Sequence, residues 1–236
     1  PNADGVIDIL TLDASGALRR ASSNGSSWDR QTLAVQGLLP GAVAGAYRIM
    51  LGDLDNNGGL DLAVSGPSGA RIWLSDEKGA LQALPAIADV DVFGLIDLNG
   101  DGRLDLVGLA GGQPVRMRSS GQRSYHWQVI RPRAQTTAGD QRINAFGVGG
   151  EIEVRSGLLF QKQILTGAPV HIGLGGRAAI DVARIVWPNG VMQAEFDFAA
   201  DQADVAEQRL KGSCPWIFAY DGHGMGFVTD FLWRSP

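Results

Sequence analysis

Two nine-residue stretches, Asp53–Asp61 (the first loop) and Asp97–Asp105 (the second loop), repeat one pattern 44 residues apart. Each carries oxygen-bearing side chains at positions one, three, five and nine, and a glycine at position six. The oxygen-bearing residues are Asp53, Asp55, Asn57 and Asp61 in the first loop, and Asp97, Asn99, Asp101 and Asp105 in the second. Carboxylates that converge in a tight turn repel one another unless a cation lies between them. The pattern therefore predicts two cation-binding loops.

Calcium suits these loops because it takes six to eight oxygen ligands at about 2.3–2.6 Å, whereas magnesium demands a strict octahedron and keeps its waters. The glycines at position six, Gly58 and Gly102, permit the sharp turn that such a loop needs. At position seven, Gly59 and Arg103 would each offer a backbone carbonyl. We predict a calcium ion in each loop.

The loops differ from an EF-hand, which needs a bidentate glutamate at position twelve and a helix on each side. Position twelve is Val64 in the first loop and Gly108 in the second. Short apolar runs, Leu60–Val64 and Leu104–Val107, follow the loops and favour strands. The ninth aspartate would then close the shell. Turns rich in Asp and Gly that hold no metal are the alternative, and the shared register of the two loops favours calcium.

A third, incomplete copy of the loop stands at the beginning of the chain. Asn2, Asp4, Val6 and Asp8 match positions three, five, seven and nine, and position one would precede Pro1. We therefore expect a weaker third site here, and a chain that is a piece of a longer multidomain protein. On this expectation, the absence of a visible signal peptide is uninformative.

The ninth aspartates of the three loops are 53 and 44 residues apart, and repeats of 20–50 residues indicate solenoids, propellers or arrays. Each repeat carries an apolar run on either side of its loop, followed by further short strands. Four short strands in about 45 residues is the size of a propeller blade. The strands predicted for the two complete repeats are Tyr47–Leu51, Leu60–Val64, Ala70–Leu74, Ala80–Leu84, Val90–Ile96, Leu104–Leu109, Pro114–Met117 and Tyr125–Ile130.

The loop motif at blade spacing resembles the FG-GAP/VCBS repeat, the calcium-binding blade that is also found in integrin α-subunit propellers. The resemblance covers residues 1–132 and implies a partial β-propeller, because family propellers usually have about seven blades. It implies calcium as the cofactor. Calcium in turn favours a place outside the cell, because sites of this type stay filled where free calcium is near millimolar.

Residues 133–206 have a different sequence pattern, in which apolar and polar residues alternate along short strands. This pattern predicts a small β-sandwich. The expected strands are Glu151–Val154, Leu159–Leu165, Val170–Gly176, Ile180–Trp187 and Val191–Phe198. Residues 207–236 read as a β-hairpin tail or the start of a following domain, and Gln202–Arg209 as one or two helical turns. The predicted fold class is all-β.

Three motifs in this second half resemble the ASPIC/UnbV domain, which follows FG-GAP/VCBS repeats in bacterial surface proteins and in the cartilage acidic protein family. They are Asn144–Gly147, His171–Gly175 and Val186–Gly190. The resemblance implies no agreed activity and no catalytic residues.

Several other chemistries are disfavoured by the sequence. The net charge is −5 and no basic cluster is present, which argues against nucleic acid, and no apolar run reaches a membrane-spanning length of about 18 residues. The lone Cys214 is read as a small buried residue. Gly173–Ala178 matches a dinucleotide-loop spacing, but a strand follows it, which favours a tight turn. His171, between two apolar residues, is predicted to be a hydrogen-bonded structural histidine.

The sequence thus predicts a calcium-stabilised binding, adhesion or scaffolding module that has no catalytic activity of its own. We expect it outside the cell, on the cell surface or in the periplasm, with an unknown protein or glycan as its ligand. The alternative is a part of a secreted carbohydrate- or lipid-acting enzyme whose catalytic residues lie elsewhere. A cleft lined by His, Glu or Lys residues with perturbed pKa values would favour that alternative.

Overall fold

The structure, a computed structural model, describes residues 6–34, 45–76, 78–85, 87–121, 123–135, 143–209 and 216–230. All twenty regular elements in these ranges are β-strands, so the all-β prediction is confirmed. The strands are β1 Ile9–Leu12, β2 Leu18–Ser23, β3 Trp28–Ala34, β4 Arg48–Gly52, β5 Asp61–Gly66, β6 Gly69–Ser75, β7 Leu81–Ala83, β8 Ile87–Ala88, β9 Asp91–Ile96, β10 Asp105–Ala110, β11 Gln113–Met117, β12 His126–Arg133, β13 Glu151–Ser156, β14 Leu159–Ile164, β15 Val170–Gly175, β16 Ala179–Val186, β17 Met192–Ala199, β18 Gln202–Glu207, β19 Trp216–Tyr220 and β20 Met225–Asp230.

The chain divides into two compact units, one of residues 1–127 with 171–177 and the other of residues 128–170 with 178–236. The first unit contains three antiparallel sheets in which chain neighbours are also sheet neighbours. Their strand orders are β1-β2-β3, β4-β5-β6-β7 and β9-β10-β11. The short strand β8 also pairs with the first two residues of β6. Short turns between consecutive strands explain this meander order.

The three sheets of the first unit pack face to face, because apolar side chains alternate along their central strands. Leu62 and Val64 point from β5 towards Leu18 of β2 in one buried cluster. Ala63 points to the opposite side and packs with Val92 and Leu106 of the third sheet. Strand β5 is therefore buried along its whole length. The first loop enters this strand directly and is anchored in the core of the unit.

The two complete repeats have the same strand register. In the first, Leu62 of β5 faces Trp73 of β6, and in the second, Leu106 of β10 faces Met117 of β11. Both pairs are separated by the same 44 residues that separate the two loops. Residues 44 apart are therefore structurally equivalent from the loop to the end of the following hairpin.

The second unit is built around an antiparallel sheet with the order β14-β13-β16-β17. Its buried side includes Ile152, Val154 and Ile185, and Trp187 is 1% exposed. The Pro188–Gly190 turn closes the β16–β17 hairpin as predicted, with the Gly190 amide donating to the Trp187 carbonyl at 2.8 Å. Strand β12 pairs in parallel with β18, and β19 pairs with β20.

Two expectations about local structure need correction. The segment expected to be helical at residues 202–209 forms strand β18, because it finds a parallel partner in β12 and Ala206 is buried there. Strand β12 was expected to be the fourth strand of the last blade, but the third sheet contains only β9, β10 and β11 among the described residues. Cys214, Asn2 and Asp4 lie outside the described residues. The sheets are open, and the propeller and the sandwich stay predictions.

Within the described ranges, no helix is long and apolar enough to cross a membrane.

Candidate metal centre

The first loop brings three aspartates together between the end of β4 and the start of β5. One carboxylate oxygen each from Asp53, Asp55 and Asp61 lies within 4.8 Å of the other two. Two ligands of one calcium ion at 2.3–2.6 Å can be at most about 5.2 Å apart. The spacing therefore fits a shared metal ion, and this is the only such group of acidic, His or Cys residues in the described part of the chain.

Backbone amides hold these carboxylates in place. The amide of Gly58 donates to Asp53 Oδ2 at 2.8 Å, and the amides of Leu54 and Ser75 each donate to Asp61 at 2.7 Å. Gly58 has a φ of +97°, the left-handed conformation that its position was predicted to need. The convergence of the carboxylates is thus built into the folded backbone.

The first loop is also electrostatically unfavourable when no cation is bound. Asp53 and Asp61 are fully buried. Burial, together with the charge of Asp61, raises the pKa of Asp53 well above its usual value, and burial raises the pKa of Asp61 to about 7. Burial likewise raises the pKa of Asp55. A hard divalent cation would restore the ionised state of all three, so the donor set fits such an ion.

Positions five and seven of the first loop face the following hairpin. Asn57 Nδ2 donates to the Ser75 carbonyl at 2.6 Å, and Asn57 Oδ1 accepts the Gly59 amide at 2.6 Å. Oδ1 keeps a second lone pair that a cation can use. A Cβ on Gly59 would lie 2.5 Å from Ser75 Oγ, so only glycine fits this position.

Asn56, which sequence reasoning missed, connects the first loop to two other segments of the same unit. Its side chain is buried, and its Nδ2 donates to the carbonyl of Gly102 in the second loop at 2.8 Å. Its Oδ1 lies 2.8 Å from His171 Nε2. Burial lowers the pKa of His171 to about 4, so the imidazole is neutral and donates from Nε2. His171 is hydrogen-bonded as predicted, and the Trp127 ring lies parallel to it at 6.5 Å.

The glycine-rich segment after His171 lies against the first loop. A Cβ on Gly173 would be 2.0 Å from Asp53 Oδ2 and 2.6 Å from Asn56 Cα. The Gly175 amide donates to the Asn56 carbonyl at 2.8 Å. Strand β16 follows after three residues, so the tight-turn prediction is confirmed. The glycines serve close backbone packing on the candidate metal site.

Arginines form hydrogen bonds with the side chains of the second loop, whereas Arg123 acts on Asp55 of the first loop only through its charge. Asp105 is buried, and its Oδ2 accepts bonds from Arg116 Nε at 3.0 Å and Arg116 Nη2 at 2.5 Å. Arg116 Nη2 also donates to Asn99 Oδ1 at 2.6 Å. Arg118 Nη2 donates to Asp101 Oδ2 at 3.0 Å, and bonds from Asn99 and then Arg118 lower the pKa of Asp101. The aspartates of this loop do not form a three-carboxylate group among the described residues.

Asp97 and Arg103, two further sequence-predicted ligands of the second loop, form hydrogen bonds with backbone groups. Asp97 accepts hydrogen bonds from backbone amides of its own loop, including that of Gly102 at 2.8 Å. The side chain of Arg103, which was expected to contribute only its carbonyl, donates to the carbonyls of Gly121 and Arg123. Arg103 thereby fixes the segment that follows β11.

The incomplete N-terminal loop is described only from residue 6. Val6 is exposed, and Asp8 Oδ1 accepts a hydrogen bond from Ser22 Oγ. Its other predicted ligands, Asn2 and Asp4, lie outside the described residues. A third site at this end stays a prediction.

An open groove with a volume of about 630 Å³ lies beside the first loop, within the first unit. Asp55 and Asn57 line it together with Arg103 and Arg123. Leu54, Leu74 and Leu81 add apolar surface. The groove has the volume of small-molecule and cofactor sites, about 300–1,000 Å³. A cation on the first loop would form part of its wall.

Comparisons of the chain with protein-family models, with curated proteins and with solved structures found no match. The two resemblances drawn from the motifs remain predictions.

Proposed function

We propose that the first loop binds one calcium ion and that the chain is a calcium-stabilised extracellular module for binding, adhesion or scaffolding. The observation that carries this proposal is the group formed by Asp53, Asp55 and Asp61. Their converging carboxylates have raised pKa values and no cationic partner within hydrogen-bonding distance among the described residues. Buried like charges of this kind are stable only when a cation or protons neutralise them.

Calcium is preferred over magnesium because the ligands are carboxylate and amide oxygens attached to a single short loop. Calcium accepts irregular shells of six to eight such oxygens, whereas magnesium demands near-octahedral geometry and retains several waters. Asp53, Asp55 and Asp61 would hold the ion, with Asn57 Oδ1 as a further ligand. Sites of this type stay filled where free calcium is near millimolar, which favours an extracellular location.

The ion would act structurally in this proposal. It would offset two of the three negative charges at the entry to the buried strand β5 and fix the hairpin that Asp61 and Asn57 contact through Ser75. The wall of the adjoining groove would become more rigid. A groove that Arg103 and Arg123 line beside the calcium site suits a protein or glycan ligand that presents carboxylate and hydroxyl groups.

The test is calcium uptake by the whole chain, measured by calorimetry and by melting with and without a chelator. We expect uptake at or below millimolar calcium, and little response to magnesium. At a hundredfold excess over Kd, calcium should stabilise the fold by about 2.7 kcal/mol. Asp55→Ala should abolish this effect. Asp29→Ala, which removes an exposed carboxylate from β3, is the matched control. Equal melting temperatures with calcium and with chelator would refute the proposal.

A further inference from the structure

The two loops share their backbone contacts, which makes their surroundings directly comparable. The Ser75 amide donates to Asp61 Oδ1 at 2.7 Å, and the equivalent Ser119 amide donates to Asp105 Oδ1 at 2.9 Å. The Gly58 amide donates to Asp53 Oδ2 at 2.8 Å, and the Gly102 amide likewise to Asp97 Oδ2 at 2.8 Å. These two contacts are thus repeated 44 residues further along the chain.

The facing hairpin strand differs at two of these equivalent positions. Ile72 and Leu74 of β6 are apolar, and Ile72 is buried in the core of the first unit. The residues 44 positions later are Arg116, at the end of β11, and Arg118, directly after it. The two positions thus hold aliphatic side chains in the first repeat and cationic side chains in the second.

These two arginines contact the atoms that a metal ion would use in the second loop. Arg116 binds Asn99 Oδ1 at position three and Asp105 Oδ2 at position nine. Arg118 binds Asp101 Oδ2 at position five. Charge-assisted hydrogen bonds of guanidinium groups to carboxylates are among the strongest in proteins. A calcium ion at this place would have to displace Arg116 from Asp105 and would then be repelled by the guanidinium beside it.

We propose that Arg116, assisted by Arg118, is the built-in cation of the second loop, which is held together without calcium. Of the two complete loops, only the first takes the ion, and the residues that decide this lie on or directly after the second strand that follows each loop, β6 or β11. Only the statement about the ion in the first loop rests on the proposed function. The occupancy of the second loop can be tested independently.

The first test counts calcium ions per chain by equilibrium dialysis. Asp101→Ala removes the position-five side-chain oxygens from the second loop and should leave calcium uptake unchanged, whereas Asp55→Ala should lower it by one ion per chain. Because Asp101 lies on the surface, its substitution does not threaten the core. Loss of one ion in Asp101→Ala would overturn the proposal, since the second loop would then be a metal site in the native chain.

The second test transfers the aliphatic pair of the first repeat into the second. The double variant Arg116→Ile with Arg118→Leu should take up one more calcium ion than the native chain. It should also show a larger rise in melting temperature when calcium is added. Arg118→Leu alone, at a largely exposed position, is the variant that keeps the buried Arg116–Asp105 pair and should take up no extra ion.

Should the double variant fold poorly, the pair Asp105→Asn with Arg116→Met answers the same question. It removes both charges, and it should fold in calcium-free buffer and take up as much calcium as the native chain. An unchanged ion count in a folded Arg116→Ile, Arg118→Leu chain, or a lower count in the Asp105→Asn pair, would overturn the proposal. If the native chain binds no calcium and the double variant binds one ion, the proposed function fails and this inference stands.

Discussion

The first and second loops carry the same nine-residue pattern and share two backbone contacts to their first and ninth aspartates, yet the charged surroundings of those aspartates differ. The first loop brings the carboxylates of Asp53, Asp55 and Asp61 together, whereas the second pairs Asp105 and Asp101 with arginines. The deciding positions lie 11 and 13 residues after the ninth aspartate. We therefore propose that the loop pattern determines the backbone and that the facing strand determines whether an arginine or a metal ion balances the carboxylates.

Burial separates the two loops as well. The first loop is covered by the Gly173–Gly175 segment and by the side chain of Asn56. In the second loop, Asn99 and Asp101 are exposed. Water screens charges at an exposed site and makes their pairing worth less. An unbalanced charge should therefore cost far more in the first loop than in the second.

The largest expected contrast is the response to pH in calcium-free buffer. The pKa of Asp61 is raised from 3.8 to about 7 and that of Asp53 is also raised, so the folded first loop retains protons that the unfolded chain releases. This contribution to stability is complete below about pH 4 and is lost as the pH rises through 7. At 1.36 kcal/mol per pKa unit, Asp61 alone should cost on the order of 3 kcal/mol between pH 5 and pH 8.

Urea unfolding at pH 5 and pH 8 in calcium-stripped buffer measures this loss, and millimolar calcium should remove it. Asp101 in the second loop responds in the opposite direction, because its lowered pKa gives stability that is present above about pH 4 and is lost as the pH falls. A calcium-free chain that is more stable at pH 8 than at pH 5 would contradict the account of the first loop.

The second contrast is one substitution, Asp to Asn, with opposite effects in the two loops. Asp105→Asn leaves Arg116 facing an amide in a buried site. A wholly buried pair loses about 3–5 kcal/mol when one partner is removed, and the 35% exposure of Arg116 reduces this to about 2 kcal/mol. Asp55→Asn relieves repulsion and should stabilise the calcium-free chain. Denaturant titration with chelator measures both, and changes of the same sign would break the comparison.

The sequence predicted the loops because their ligands lie within nine residues, where turn geometry alone brings them together. It also predicted the strands next to the loops, whose bounds shift by one or two residues. It did not predict Arg116 as the partner of Asp105, because that contact depends on the β10–β11 register. The contact of Gly173 with Asp53 was missed for the same reason, since the two are 120 residues apart. The helical expectation at residues 202–209 failed because local propensity was overridden by the parallel partner β12.

The third contrast concerns the cover over the first loop. In Gly173→Ala the new methyl group would lie 2.0 Å from Asp53 Oδ2 and 2.6 Å from Asn56 Cα, and both are held in buried positions. Overpacking of this kind costs typically 1–3 kcal/mol, and we expect about 1.5 kcal/mol together with weaker calcium binding. Gly176→Ala is the control, because its methyl group would meet nothing within 4 Å. Thermal melts of both variants decide the matter, and equal melting temperatures would mean that Gly173 does not cover the loop.

The smallest expected effect is that of Arg118→Ala in the second loop. The Arg118 side chain is 66% exposed and that of Asp101 is 30% exposed, so water screens their bond. Exposed ion pairs are typically worth 0.2–1 kcal/mol, and we expect a loss of about 0.5 kcal/mol that shrinks further in high salt. Leu74→Ala, the equivalent change in the first repeat, removes apolar packing and should cost more at any salt concentration. Urea titrations of both variants at low and high salt measure these losses. A salt-independent loss in Arg118→Ala would show that Arg118 acts through packing, and Arg116 would then be the only cation that balances the second loop.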